Sequence, residues 1–197
     1  GSAELTVQSI PDALTVPIES VLTAGADRYV FVVRTDGVAH QPLFTPGAQP
    51  GRAYRIPAMV VAGSTVLAFS ESRQEAMSDE LDIDLVQRRS TDGGRTWSPI
   101  TVVAQDGAHT VHSPTPVYDP TTRTVWLPYC EDYEHLWMLS STDAGTTWSA
   151  PRDLGTELGI EPGTWCHNGP GNGIVLTSGR LLVPTTQGQP RSLYSDD

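Results

Sequence analysis

Asp79 is the residue that type and setting best equip for chemistry. It lies in the acidic segment Ser78-Asp79-Glu80-Leu81-Asp82-Ile83-Asp84, and a carboxylic acid can protonate a leaving oxygen and then take a proton from water. Arg55 and Arg73 precede it, and guanidinium groups bind a carboxylate through paired hydrogen bonds. One acid/base and two anion-binding groups therefore fall in a short stretch of chain. Each has a plainer reading. A run of carboxylates is ordinarily a solvated loop, Arg55 alone is a surface arginine at a strand edge, and Arg73 alone is half of a salt bridge. Asp82 is the second candidate for the acid/base. Asp82 and Asp84 alternate onto one face at the start of a strand, which suits structural hydrogen bonding. Arg88 and Arg89 suit a solvated face.

Other chemistries are excluded more firmly. All 12 cationic side chains are arginines and none is lysine, which removes Schiff-base chemistry and a Walker-type phosphate loop. The net charge of −11 argues against a nucleic-acid partner, because phosphate binding needs clustered cations. No apolar run approaches the roughly 18 residues of a membrane span. His109 and His112 lie close together but lack a carboxylate or cysteine at ligand spacing, so a metal site is not expected. Cys130 and Cys166 read as two buried thiols in preference to a bridge.

The elements that must position these groups are strands. Tyr29 to Val33, Ala58 to Val61, Val66 to Phe69, Ile83 to Val86, Thr124 to Leu127, Leu136 to Leu139 and Leu181 to Pro184 are short runs rich in apolar residues. They are bounded by turn-forming residues, among 18 Gly and 16 Pro in 197 residues, which is strand patterning. The one candidate helical turn spans Gln74 to Asp79. An internal repeat narrows the all-β class further. Ser90-Thr91-Asp92-Gly93-Gly94-Arg95-Thr96-Trp97 and Ser141-Thr142-Asp143-Ala144-Gly145-Thr146-Thr147-Trp148 share S-T-D-x-G-x-T-W. Their spacing is 141 minus 90, or 51 residues, and a third copy begins at Ser195-Asp196-Asp197. Each octet predicts a hairpin tip in which the Asp accepts from turn N–H groups, the Gly takes a left-handed backbone angle and the Trp packs back. A period near 50 residues is that of propeller blades.

These octets are similar to the Asp-boxes of sialidases, and further motifs extend the resemblance in order along the chain. Tyr54-Arg55-Ile56-Pro57, Leu67-Ala68-Phe69-Ser70-Glu71-Ser72-Arg73, the segment around Asp79, Ser113-Pro114-Thr115-Pro116-Val117-Tyr118-Asp119 and Gly169-Pro170-Gly171-Asn172-Gly173-Ile174 all resemble family signatures. The resemblance covers about residues 43–197. It implies part of a six-bladed β-propeller, about three blades, preceded by an N-terminal β segment over residues 1–42 with a linker at Gly47 to Gly51. It implies an exo-α-sialidase, a retaining glycosidase without metal or cofactor that acts on sialylated glycans. Asp79 matches the family's acid/base, Arg55 the first of three arginines on the substrate carboxylate, and Arg73 a further pocket arginine. Ser113 and Trp165 would shape the glycerol or N-acetyl subsites. The family's tyrosine nucleophile, its partner glutamate and two more arginines belong to later blades, so the chain alone is expected to be inactive. Tyr118, Tyr129 and Tyr133 are expected to serve packing. Arg55 and Asp79 should flank one sugar ring, about 5 to 10 Å apart.

Residues 14–22 and 29–37 weakly resemble the β-barrel region of periplasmic efflux adaptors, with an ordinary β-hairpin module as the favoured reading. The sialidase resemblance implies a secreted or periplasmic parent, and no cleavable apolar leader is seen at this end. Two other functions remain open: an Asp-box propeller that binds glycan or protein without catalysis, and a chimera of adaptor and sialidase segments.

Overall fold

The computed structural model describes residues 21–24, 27–34, 37–46, 53–74 and 78–196, with side chains described from residue 41 onward. The Gly47 to Gly51 linker, residues 1–20 and part of the expected helical turn lie outside the described residues. Strands β1 (Val21–Ala24), β2 (Asp27–Arg34) and β3 (Gly37–Phe44) form an antiparallel meander. Strands β4 (Ala53–Ala62), β5 (Thr65–Arg73), β6 (Ile83–Ser90) and β7 (Thr101–Ala104) form the next sheet in the order 4-5-6-7, all antiparallel. This is the first propeller blade.

The second blade has a broken first strand. Strands β8 (Val111–His112) and β9 (Val117–Asp119) both pair with β10 (Thr124–Glu131), followed by β11 (His135–Ser141) and β12 (Arg152–Asp153). A single-turn helix α1 (Leu154–Glu157) follows, its first N–H groups capped by Asp153, a turn the sequence patterning did not reveal. In the third blade β13 (Cys166–Asn168) and β14 (Ile174–Val175) share one edge of β15 (Leu181–Gln187), and β16 (Gln189–Ser195) takes the other. The described residues thus form a partial all-β propeller whose first strands meet one another. Asn172 sets its side-chain amide against Met59 of β4, accepting from the Met59 N–H at 3.1 Å and donating to the Met59 carbonyl. The Gly173 N–H reaches the Pro116 carbonyl at 2.9 Å. A Cβ on Gly173 would lie 2.7 Å from that of Val117, so only glycine lets these two strands approach.

The motifs that interrupt the apolar runs all interrupt first strands. Arg55-Ile56-Pro57 makes a register shift in β4, with Ile56 at φ 50°. Ser113 to Pro116 separates β8 from β9, and Gly169 to Gly173 separates β13 from β14. Each break lifts backbone out of the ladder partway along its strand.

The core lies between blades. Leu67 and Phe69 of β5, Leu85 of β6 and Val125, Leu127 and Leu139 of the second blade form one buried cluster. Trp148, from the second Asp-box, meets Phe69 edge-on with ring centroids 5.9 Å apart. Trp97, from the first, packs on the opposite face of its blade with Leu43, Phe44 and Tyr54. Both octets sit between the third and fourth strands of their blades, as the patterning predicts. The groove between the second and third blades, of about 710 Å³, is lined by Trp126, Pro128, Met138 and Tyr194. Met138 precedes its Asp-box serine by the same three positions as Gln87, the residue that bonds Trp148.

Two expectations are corrected. Cys130 and Cys166 are bridged, their Cα atoms 6.2 Å apart. They are 36 residues apart in sequence, and only the packing of blade two on blade three brings them together. Arg88 and Arg89 do not form a solvated face. Arg88 donates to the Ser98 and Leu43 carbonyls at 2.7 and 2.8 Å, and Arg89 to the Ala144 carbonyl of the next blade's Asp-box at 2.8 Å.

Candidate functional site

Strand β5 builds the floor of the site. All nine of its residues are buried, yet it changes from apolar (Val66 to Phe69) to polar (Ser70 to Arg73) halfway along. Period-2 alternation puts Glu71 and Arg73 on one face. The Arg73 Nε and Nη2 atoms donate to Glu71 Oε2 at 3.1 and 2.6 Å, and the Ser113 N–H donates to Glu71 Oε1 at 3.0 Å. Both side chains are nearly inaccessible, at 3% and 2% exposure. Burial pushes the Glu71 carboxyl above its ordinary range, while Arg73 and the Ser113 N–H oppose that rise. Arg73 is held charged by its carboxylate neighbours. Glu71, quoted within its motif but given no role by sequence reasoning, is the residue that fixes Arg73, and alternation back from Arg73 is the signal that points to it.

Asp79 lies on the loop between β5 and β6. Its Oδ1 accepts from Arg73 Nη1 at 2.6 Å and from Arg55 Nη1 at 2.7 Å. The second distance is shorter than the expected separation of a sugar ring's two flanks, because the Asp79 carboxylate is itself the anion shared by both guanidiniums. The Arg73 hydrogen bond, chiefly, holds the Asp79 carboxyl below its ordinary range although its side chain is 63% exposed. Arg73 Nη1 also donates to the Ser78 carbonyl, which ties the loop backbone to the buried pair. Asp84 is buried near Gln74, in keeping with a structural role.

The loop's other tether is Tyr133, for which only packing was expected. Its hydroxyl donates to the Asp79 carbonyl at 2.7 Å. The Tyr133 N–H donates to His112 Nε2 at 3.3 Å, so His112 carries its proton on Nδ1 and donates to Ser113 Oγ at 2.8 Å. Burial, with His167 and Arg73 nearby, drives the His112 pKa down to about 3, and the ring is neutral. Rings gather here: Tyr133 lies 4.0 Å from His112, and Trp165 stacks near-parallel on Tyr133 and His167 at 6.2 and 5.7 Å. The Cys130–Cys166 bridge anchors β13, which carries His167 and follows directly on Trp165. Of the five residues the sequence singles out, Arg55, Arg73 and Asp79 meet at one point. Trp165 stands half-exposed beside them. Ser113 is wholly buried, its N–H on Glu71 and its hydroxyl facing His112, so it supports the floor of the site. Among the described residues no cluster of His, Cys, Asp and Glu could hold a metal ion.

Residues 64–195 match the BNR repeat-like domain family. An exo-alpha-sialidase of Aspergillus fumigatus is 34% identical over 166 residues, covering 67% of this chain and 41% of that protein. Sialidase-3 of Bos taurus is 34% identical over 167 residues, covering 73% and 39%. The chain thus spans about two-fifths of the length of these curated relatives. Among solved structures, a Hadza microbial sialidase superimposes with a TM-score of 0.66 at 22% identity, over 88% of this chain and 44% of that one. The Asp-box hairpins, the broken first strands and the matched span agree: the chain belongs to the BNR repeat-like domain family and forms part of a sialidase-type propeller.

Proposed function

We propose that this chain supplies the acid/base and part of the carboxylate clamp of a retaining exo-α-sialidase acting on sialylated glycans. The observation that carries this reading is the Asp79 carboxylate held at 2.6 and 2.7 Å by two guanidiniums, an arrangement that already binds one carboxylate. A sialoside brings its own carboxylate on the anomeric carbon. When that group takes the guanidiniums, Asp79 is released beside the glycosidic oxygen and loses the contacts that hold its pKa down. Its pKa then rises, it takes up a proton, and it becomes a general acid. The substrate thus loads its own catalyst. A carboxylate nucleophile beside the substrate's carboxylate would meet like-charge repulsion, and sialidases use a tyrosine instead. Tyr133 already donates to Asp79's backbone, so the nucleophile is assigned to blades beyond those described, and the 197 residues alone are inactive. The disulfide supports a secreted or periplasmic setting, where such bonds persist.

The test is a titration of the purified chain with N-acetylneuraminic acid, following the Arg55 and Arg73 side-chain N–H signals by NMR. Shifts at both, abolished by Arg55→Ala, are expected. Undisturbed signals at saturating ligand, or turnover of a fluorogenic sialoside by the chain alone, would overturn the corresponding half of the proposal.

A further inference from the structure

The hairpin that joins β10 to β11 is built against its own backbone preferences. Its turn closes with the Glu134 N–H on the Glu131 carbonyl at 3.0 Å. Both central residues, Asp132 and Tyr133, stand in the left-handed region, at φ 50° and 60°. A turn of that shape favours Asn-Gly or Asp-Gly, because a Cβ at the second position crowds the backbone. An aromatic residue there is an outlier, and such outliers persist only where the surroundings hold them. The holding groups are visible. The Tyr133 N–H donates to His112 Nε2 at 3.3 Å, and the Tyr133 carbonyl accepts from the Cys166 N–H at 2.6 Å. The Asp132 N–H donates to the Thr110 carbonyl at 2.9 Å. Blades two and three together brace two residues that the hairpin alone would not select.

Both side chains of the turn work on blade one. The Tyr133 hydroxyl donates to the Asp79 carbonyl at 2.7 Å. Asp132 Oδ1 accepts the Thr110 N–H at 2.9 Å, and the Thr110 hydroxyl donates in turn to the Leu81 carbonyl at 2.7 Å. Two carbonyls, two residues apart on the loop between β5 and β6, are thus gripped from the neighbouring blade. Leu81 itself stands at φ 94°, a second angle that needs a holding group. The Asp79 side chain is 63% exposed, so hydrogen bonds, and not packing, decide where its carboxylate stands. We infer that the Asp132-Tyr133 turn is a two-armed positioning device. It keeps a strained backbone so that Tyr133 directly, and Asp132 through Thr110, set the Asp79 carboxylate over Arg55 and Arg73. The inference rests on the sialidase reading only for the chemistry assigned to Asp79; the positioning itself needs no substrate. A general acid must be held within hydrogen-bond reach of the atom it protonates, and here that reach is set across a blade interface.

The test is Tyr133→Phe, which removes the hydroxyl and keeps the ring beside His112 and Trp165. Two quantities are followed by NMR on the purified chain: the titration of the Asp79 carboxyl carbon, and acetate affinity from the Arg55 and Arg73 side-chain N–H shifts. Unchanged signals away from the two loops show that the variant is folded. The Asp79 titration should move up toward the ordinary aspartate value of 3.8. Acetate should bind about two- to fivefold more tightly, because the carboxylate it displaces is less firmly held. Thr110→Val, which cuts the second arm at the hydroxyl, should act in the same direction and more weakly. In Asp79→Asn, acetate affinity should no longer respond to Tyr133→Phe, whereas a general loosening of the hairpin would alter it in both backgrounds. An Asp79 titration unmoved by Tyr133→Phe, or an equal change of acetate affinity with and without the Asp79 carboxylate, overturns the inference. A Tyr133→Phe effect on Asp79 without any N-acetylneuraminic acid shift at Arg55 and Arg73 sustains the positioning and defeats the sialidase reading; the reverse pattern does the opposite.

Discussion

The two ends of strand β6 each carry an aspartate whose pKa is held below its ordinary value, and they do so by opposite means. At the start of the strand, Asp79 owes its depressed pKa to guanidiniums from β4 and β5. At its end, Asp92 owes it to its own turn. There the Arg95 and Thr96 N–H groups donate at 3.0 and 2.9 Å, and the Thr96 and Ser90 hydroxyls at 2.7 and 2.8 Å. The eight residues of β6 separate the two ends by roughly 26 Å at about 3.3 Å per residue. Asp143 repeats the Asp92 pattern almost atom for atom. An aspartate satisfied by its own octet has nothing to exchange and serves the fold. An aspartate satisfied by distant arginines sits on donors that another carboxylate can take, and that makes a site.

The comparison breaks most violently at the buried pair beneath Asp79. Arg73→Met removes the guanidinium and leaves the Glu71 carboxylate almost wholly buried without its ion partner. Truncating one member of such a pair costs about 3–5 kcal/mol, so urea unfolding should show a loss of that size. Arg73→Met combined with Glu71→Leu should recover much of it, because two apolar side chains need no partner. Recovery would establish that the pair is kept for binding, at no benefit to stability. At the Asp-box end the largest lesion is steric. Gly145 stands at φ 75°, and a Cβ there would lie 2.9 Å from Leu67 Cδ2 and 3.1 Å from Gln87 Oε1. Gly145→Ala should destabilise by about 1–3 kcal/mol. Gly94→Ala in the first octet, also at positive φ, should likewise destabilise through the strain of a side chain in the left-handed region.

How far each end was legible follows from the same difference. The octets could be read because every partner of Asp92 and Asp143 lies within five residues of chain, and the repeat at 51 states the pattern twice. Arg55, Arg73 and Asp79 could be named as candidates, but their meeting at one oxygen depends on the β4–β5 register and on the bulge at Ile56. Glu71 was obscured by its burial: alternation sets it on the face of Arg73, but nothing in the sequence shows that this polar strand end is buried and needs the pair. Tyr133, His112 and the Cys130–Cys166 bridge were hidden by distance. The Tyr133 hydroxyl reaches a carbonyl 54 residues back, and no spacing rule connects the blades. The same holds for Asn172, whose amide pairs with Met59 across 113 residues. Its motif marked the position without revealing that the role is structural.

A gentler test sharpens the idea that Asp79 occupies the clamp. Asp79→Asn removes the charge while keeping the shape. If Asp79 competes with an incoming carboxylate for Arg55 and Arg73, acetate and N-acetylneuraminic acid should both bind Asp79→Asn about three- to tenfold more tightly than the parent. Parent binding should also be accompanied by proton uptake as the pH falls toward the ordinary aspartate value of 3.8, seen as a dependence of binding heat on the buffer's ionisation enthalpy, and the variant should show none. Equal or weaker binding by Asp79→Asn would mean that Asp79 assists the clamp and does not compete for it.

The smallest effect is expected at Asp143, and its sign can be worked through. Its turn donors lower its pKa from 3.8 to about 2. A depressed folded-state value means that the ionised form is favoured by folding. The contribution is therefore complete above the unfolded value near pH 4 and is lost as the pH falls toward 2. Since the group is almost fully exposed, screening keeps the change below about 1 kcal/mol. Asp143→Asn should flatten this part of the stability curve and leave the region above pH 5 unchanged in slope. Added acetate should not move it, because no ligand carboxylate can replace a side chain held by its own backbone. At Asp79 the same addition should shift the titration upward, toward the ordinary aspartate value. Chemical-shift titrations of the two carboxyl carbons, with and without acetate in one sample, read both outcomes together. An Asp143 carbon that follows acetate as Asp79 does would erase the distinction between the two ends of the blade.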